Sequence, residues 1–124
     1  MVHEVSHENL IVWQKAMDLV DGIYDETRRW PKEEVFGRTS QIRRAAVSIP
    51  TNFAEGQGRT GAREFSHHLS IAHGSLCETQ TLLRIGQRQH YIDDSAVKQL
   101  LRLATDVSRL LKALIKSLRP PTTD

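Results

Sequence analysis

Between Val97 and Leu118 an apolar residue returns at every third or fourth position: Val97, Leu100, Ala104, Val107, Leu111, Leu114 and Leu118. That rhythm holds one seam along a helix wound against a partner. Leu103, Leu110 and Ile115 broaden the stripe, as on a helix that meets more than one neighbour. A chain ending this way must be organised by helix packing. The constraint is architectural and carries no chemistry of its own.

Three further helical segments precede it. The first is predicted from about Leu10 to Trp30, with Trp13, Ala16, Met17, Val20, Ile23, Tyr24 and Thr27 on one face. Pro31 ends it, because the residue before proline is pushed out of the α region and proline itself lacks a donor. Trp30 is then placed to close the end of the core. The second segment turns Ile42, Ala45, Ala46, Ile49 and Phe53 inward, with small residues permitting close helix contact. Pro50 interrupts its hydrogen-bond ladder, so a kink is expected, with Ser48, Thr51 or Asn52 bonding locally; a full break at Ile49 is the alternative. Gly56, Gly58 and Gly61 make the next corner. The third helix is predicted over Ala62–Arg88 along Phe65, Leu69, Ala72, Leu76, Thr79, Leu83 and Gly86, with a row of small residues (Ser66, Ser70, Gly74, Cys77) beside it. Asp93 or Asp94 caps the fourth helix, and Pro120 and Pro121 stop it. Four helices with short links give an all-α, antiparallel up-down-up-down four-helix bundle over 10–119, with tails at 1–9 and 120–124.

At 124 residues the chain suits one domain with a real core. It has no apolar run long enough to span a bilayer, and its first residues lack a signal core, so neither a membrane partner nor export is expected. The single cysteine, Cys77, precludes an intrachain disulfide, fits a cytoplasmic location and is expected to be a small buried residue. The net charge of +2 is unevenly spread: −4 over 1–37, +4 over 38–63, zero over 64–92 and +2 over 93–124.

Little in the sequence points to catalysis. Glu64 and His67 form a single E-x-x-H pair, whereas a di-iron bundle needs two, and His68 and His73 miss the i,i+4 spacing of paired helical ligands. G-Q-G-R-T-G at 56–61 follows no strand and fits neither phosphate-loop pattern, so it reads as a hinge and helix start. No metal, cofactor or catalytic residue is expected. The credible polar feature is the arginine-rich segment: Arg38, Arg43, Arg44, Arg59 and Arg63, with Asn52 and Glu55 among them. Arginine binds phosphate bidentately and stacks on bases. It also neutralises acids, here Asp21, Asp25, Glu33 or Glu34, and Glu55 is expected to pair with Arg44 or Arg59 beside Pro50.

Taken in order, LIVWQKAM at 10–17, EEVFG at 33–37, SQIRRAAVSIPTNFAEGQGR at 40–59, IAHGSLCET at 71–79 and LLKALIKSL at 110–118 closely resemble the four-helix bundle proteins encoded in bacterial 23S rRNA intervening sequences, the S23 family. The resemblance covers about 9–119. It implies an antiparallel four-helix protomer assembling as a homopentamer, with no enzymatic activity and no standing as a standard ribosomal component. A related group serves diversity-generating retroelements, its basic pentamers associating with nucleic acid and reverse transcriptase. The matched Arg43, Arg44, Asn52, Glu55, Gly56 and Arg59 become surface or interhelix candidates. His73 stands where family members commonly carry arginine, and Phe53 where they carry an aliphatic residue. The expected protein is a small homo-oligomer associated with structured RNA, or a scaffold binding a protein partner without touching nucleic acid.

Overall fold

A computed structural model describes residues 7–120, with side chains from Asn9 onward. The chain forms helices α1 (His7–Thr27), α2 (Arg38–Gln57), α3 (Ala62–Arg88) and α4 (Asp94–Ser117), with a 3-10 turn at Lys32–Glu34 between α1 and α2. α1 packs on α2, α2 on α3, α3 on α4 and α4 back on α1, with no diagonal packing among the described residues. The helices therefore sit at the corners of a square, as an up-down bundle requires. α1 begins three residues before the predicted Leu10, and the outermost tail residues, 1–6 and 121–124, lie outside the described residues.

The core runs the length of this square. Leu19, Ile23, Ile42, Ile49, Leu69, Leu76, Leu83, Val97, Val107 and Leu111 are fully buried, and Phe53 meets Phe65 edge to face at 5.9 Å. Such burial stabilises the fold by ~25 cal/mol per Å² of apolar surface removed from water and is the main driving force here. The seam read from α4 holds through Val97, Leu100, Ala104, Val107 and Leu111, all buried; Leu114 and Leu118 are half-buried at the bundle's end. Asp93 caps α4, its carboxylate accepting from the Ala96 N–H at 2.8 Å.

Several boundaries differ from expectation. α1 stops at Thr27 rather than Trp30. The Thr27 hydroxyl donates back to the Ile23 carbonyl (2.7 Å), and three-residue turns then carry Arg29 and Trp30 to Pro31. Trp30 still closes the core, stacked obliquely on Tyr91 at 5.5 Å. α2 does not break at Ile49 but runs through Pro50, which is itself buried. Thr51 Oγ1 donates to the Val47 carbonyl at 2.8 Å and Asn52 Nδ2 to that of Ser48 at 2.9 Å, while Ser48 reaches across to Ser75 on α3. Side-chain bonds and α3 contacts thus support the turn that proline weakens. Cys77 is exposed, not buried: it follows the buried Leu76 and sits on the outward row of α3.

α1 corrects the sequence reading in a way that matters. Its buried row is Val12, Ala16, Leu19 and Ile23, not the row centred on Trp13, Met17 and Val20, which remains half-buried. The helix carries two apolar rows side by side, and the core consumes only one. Gly22 lets α4 close on it, since a Cβ there would lie 2.6 Å from Leu100 Cδ2.

Candidate nucleic-acid interface

α2 is 20 residues long, so its ends lie about 30 Å apart. This alone disperses the arginine-rich segment. Arg38 stands exposed at the start of α2 and donates to Gln41 Oε1 at 2.9 Å. Arg43 turns toward α1: its guanidinium lies 4.5 Å from the centre of the Tyr24 ring, and Nε donates to Thr27 Oγ1 at 2.8 Å. It therefore pins α2 to α1 through a cation–π contact and a hydrogen bond, and pairs with none of the acids expected for it. Asp25 is held instead by Arg28 on its own helix. Arg44, Arg59 and Arg63 are exposed, with no side-chain hydrogen bond or ion pair among the described residues; Arg59 and Arg63 share the α2–α3 corner.

Asn52 and Glu55 meet at α3. Asn52 Oδ1 lies 3.4 Å and Glu55 Oε2 3.7 Å from His68 Nδ1. Histidine, not Arg44 or Arg59, is the partner of Glu55. His68 reaches it because Gly56 lets the helices close: a Cβ there would lie 2.7 Å from His68 Cβ. These residues form an interhelix polar cluster, whereas the outward arginines do not converge into one surface.

A second cationic feature escaped the sequence reading. Lys98, Arg102, Arg109, Lys112, Lys116 and Arg119 include every basic residue after Arg88, and all six are exposed. Their positions, with Thr105 between, alternate in steps of four and three. On a helix that spacing is one straight row, carried one turn past the end of α4 by Arg119. It runs about 30 Å and lies opposite the buried Val97–Leu111 seam. Asp106 accepts from Arg109 at 2.6 Å and stands 3.7 Å from Lys15. The other five cations have no such partner among the described residues. The signal was available in the same three-four arithmetic that revealed the apolar seam, applied to charge.

α3 continues this surface. Arg63, His67, Ser70, Gly74, Cys77, Thr81, Arg84 and Arg88 form an exposed outward row without an acid. A groove between the helices is lined by Ser70, His73, Lys112, Ile115, Lys116 and Arg119. His73 spans it, Nε2 lying 3.1 Å from Ser108 Oγ. Burial, and then the nearby Lys112 ammonium, push the imidazole below its ordinary pKa. No group of three or more His, Cys, Asp or Glu among the described residues is arranged to hold a metal ion.

Residues 8–113 match the sequence profile of the 23S rRNA-intervening sequence proteins. The chain belongs to that family. No curated protein matches it. Its fold is similar to a crystal structure from Bacteroides thetaiotaomicron described as a protein of unknown function from the S23 ribosomal protein family; the TM-score is 0.81 at 24% identity, over 88% of this chain and 98% of the other. Membership in the 23S rRNA-intervening sequence family supports a non-enzymatic protein. No helix among the described residues is long and apolar enough to cross a membrane.

Proposed function

We propose that this protein is a non-enzymatic, homo-oligomeric RNA-associated factor whose α4 outer face binds the phosphate backbone. The observation that carries the reading is the row of six exposed cations, five without an acidic partner. A solvated helix face ordinarily mixes both signs, and cations near a helix C-terminus also favour the helix dipole. Dipole compensation accounts for Lys116 and Arg119 but not for Lys98 and Arg102 in the first half of α4. From Lys98 to Arg119 the row holds six cations against two bordering acids, Asp94 and Asp106, and such a net-positive row is the electrostatic footprint of a polyanion. The family's description, which names 23S rRNA, makes structured RNA the ligand to test.

Backbone binding of this kind is salt-dependent. Five phosphate contacts give a slope of log affinity against log salt of about −4, so binding weakens roughly 250-fold between ~50 and ~200 mM salt. Equilibrium binding of the mass-defined protein to structured 23S rRNA fragments should show that slope and saturate at a fixed oligomer-to-RNA ratio. Absence of salt-sensitive binding at micromolar concentration removes the RNA reading. The second reading, a scaffold that binds protein only, is favoured by one observation: an apolar groove on the opposite side of the bundle, between α1 and α2.

A further inference from the structure

The second apolar row of α1 and the outer row of α2 enclose a groove of about 480 Å³. Trp13, Met17, Val20, Val47, Pro50 and Ala54 line it, and Glu55 stands on its rim. No side chain among the described residues fills it. One apolar side chain elsewhere is conspicuously uncovered: Phe36 is 96% exposed, next to Val35 at 48%. The turn carrying them is rigid. The Glu34 N–H bonds the Pro31 carbonyl, Val35 that of Lys32, and Gly37 that of Glu34. Phe36 therefore projects from a hydrogen-bonded turn rather than from the tip of a loose loop, and seating it orders one side chain and not the backbone.

Knob and groove belong to one chain but cannot meet within it. Phe36 precedes the first turn of α2, and Val47, the nearest α2 residue of the groove, lies about 14 Å further along the helix axis. We infer that Phe36 of one copy seats in the α1–α2 groove of the next, an inference that rests on the homo-oligomeric reading above. The charges on the two partners favour this occupant. On the groove side, α2 presents Arg44 one turn before Val47 and Glu55 one turn after Thr51, both exposed. On the knob side, Glu33 and Glu34 precede Phe36, and Arg38 follows it. Set in the groove with the chain running from Arg44 toward Glu55, the incoming turn brings acids to a cation and a cation to an acid. Because the two patches differ, the contact is head-to-tail, and repeating it gives a closed ring or a filament rather than a two-fold dimer. It engages the α1–α2 side and leaves the α4 cations outward.

Native mass spectrometry and analytical ultracentrifugation of the full chain test this. Phe36→Asp and Val47→Glu alter exposed positions, so each variant should keep the wild-type circular dichroism while its oligomer falls to monomer, with a melting temperature lowered only by the lost association and independent of concentration. Each variant retains the half of the contact that the other lacks. Mixed one to one, they should form a heterodimer and nothing larger, since the second junction is broken on both sides. An oligomer that survives either substitution overturns the knob-in-groove contact and leaves the homo-oligomeric reading standing, as does failure of two monomeric variants to pair. Loss of the oligomer in Val47→Glu alone means that the groove receives another segment. A wild-type protein that is monomeric at all concentrations overturns the oligomeric reading itself.

Discussion

α4 and α1 are neighbours in the square, both amphipathic, yet they spend their surfaces in opposite ways. On α4 the apolar stripe is consumed by the core, and the exposed row from Lys98 to Arg119 carries cations and Thr105, with Asp94 one turn before it and Asp106 beside it. On α1 there are two apolar rows: Val12, Ala16, Leu19 and Ile23 enter the core, while Trp13, Met17 and Val20 stay half-buried beside Val47 and Ala54 of α2. A helix with one apolar stripe is finished by its own protomer. A helix with two has a surface left over, and apolar surface left over is where partners dock. The two proposals above rest on this difference, which offers the α1–α2 side for assembly and α4 for polyanion contact.

Both surfaces depend on the one core they share, so the largest effect lies there. Leu111→Asp places a charge at a fully buried position and should destabilise the protein by about 3–5 kcal/mol in chemical denaturation, erasing assembly and RNA binding together. Unchanged stability would show that α4 does not pack as described. Gly22→Ala sharpens the α1–α4 contact. Alanine raises helix propensity by ~1 kcal/mol, but its Cβ would collide with Leu100, and overpacking of ~1–3 kcal/mol should win, giving a lower melting temperature. A stabilised variant would mean that Leu100 yields freely. Arg43→Met isolates the α1–α2 junction: loss of the Tyr24 contact and the Thr27 bond should cost about 1–2 kcal/mol, with Arg43→Lys recovering part of it. Equal stability of Arg43→Met and wild type would return Arg43 to the free arginines and weaken the division between the two sides.

The smallest effects concern pH, and their signs oppose each other. His73, between α3 and α4, holds its proton less tightly folded than unfolded, so its contribution is lost as pH falls below the ordinary 6.5. Glu26 on α1 has its pKa raised above the ordinary 4.5, by burial first, with Asp93 adding to the rise and Arg29 opposing it. Its folded form holds the proton more tightly, so its contribution is fully present below 4.5 and lost as pH rises through the raised value. In thermal melts, His73→Gln should reduce the acid loss just below 6.5, while Glu26→Gln should flatten the opposing gain at lower pH. Parallel pH profiles for wild type and both variants would remove these assignments.

Much of this fold is legible in apolar spacing. α3 is bounded as predicted, and the α4 seam and the Asp93 cap follow directly from the sequence. Spacing fails where two answers satisfy it. The rows at Val12–Leu19 and Trp13–Val20 fit the same period, and only the neighbours decide which is buried. Cys77 beside Leu76 illustrates the same one-residue ambiguity. Pair identities are less legible still, because they depend on distances between helices: Glu55 takes His68 where Gly56 allows close approach, and Arg43 takes Tyr24. The arginine-rich segment drew attention through density along the chain, whereas a helix sorts residues by angle. Arg38 and Arg59 lie at opposite ends of α2, while the sparser basic residues after Lys98 fall into one row.

The most direct test is the salt dependence of RNA binding for wild type beside Arg102→Glu/Lys112→Glu/Lys116→Glu, both at verified oligomeric mass. The reversed variant should keep the wild-type oligomer and a stability within about 0.5 kcal/mol of wild type, with affinity reduced roughly tenfold or more at low salt and a shallower salt slope. Wild-type affinity and slope in the reversed variant would contradict the assignment of RNA contact to α4.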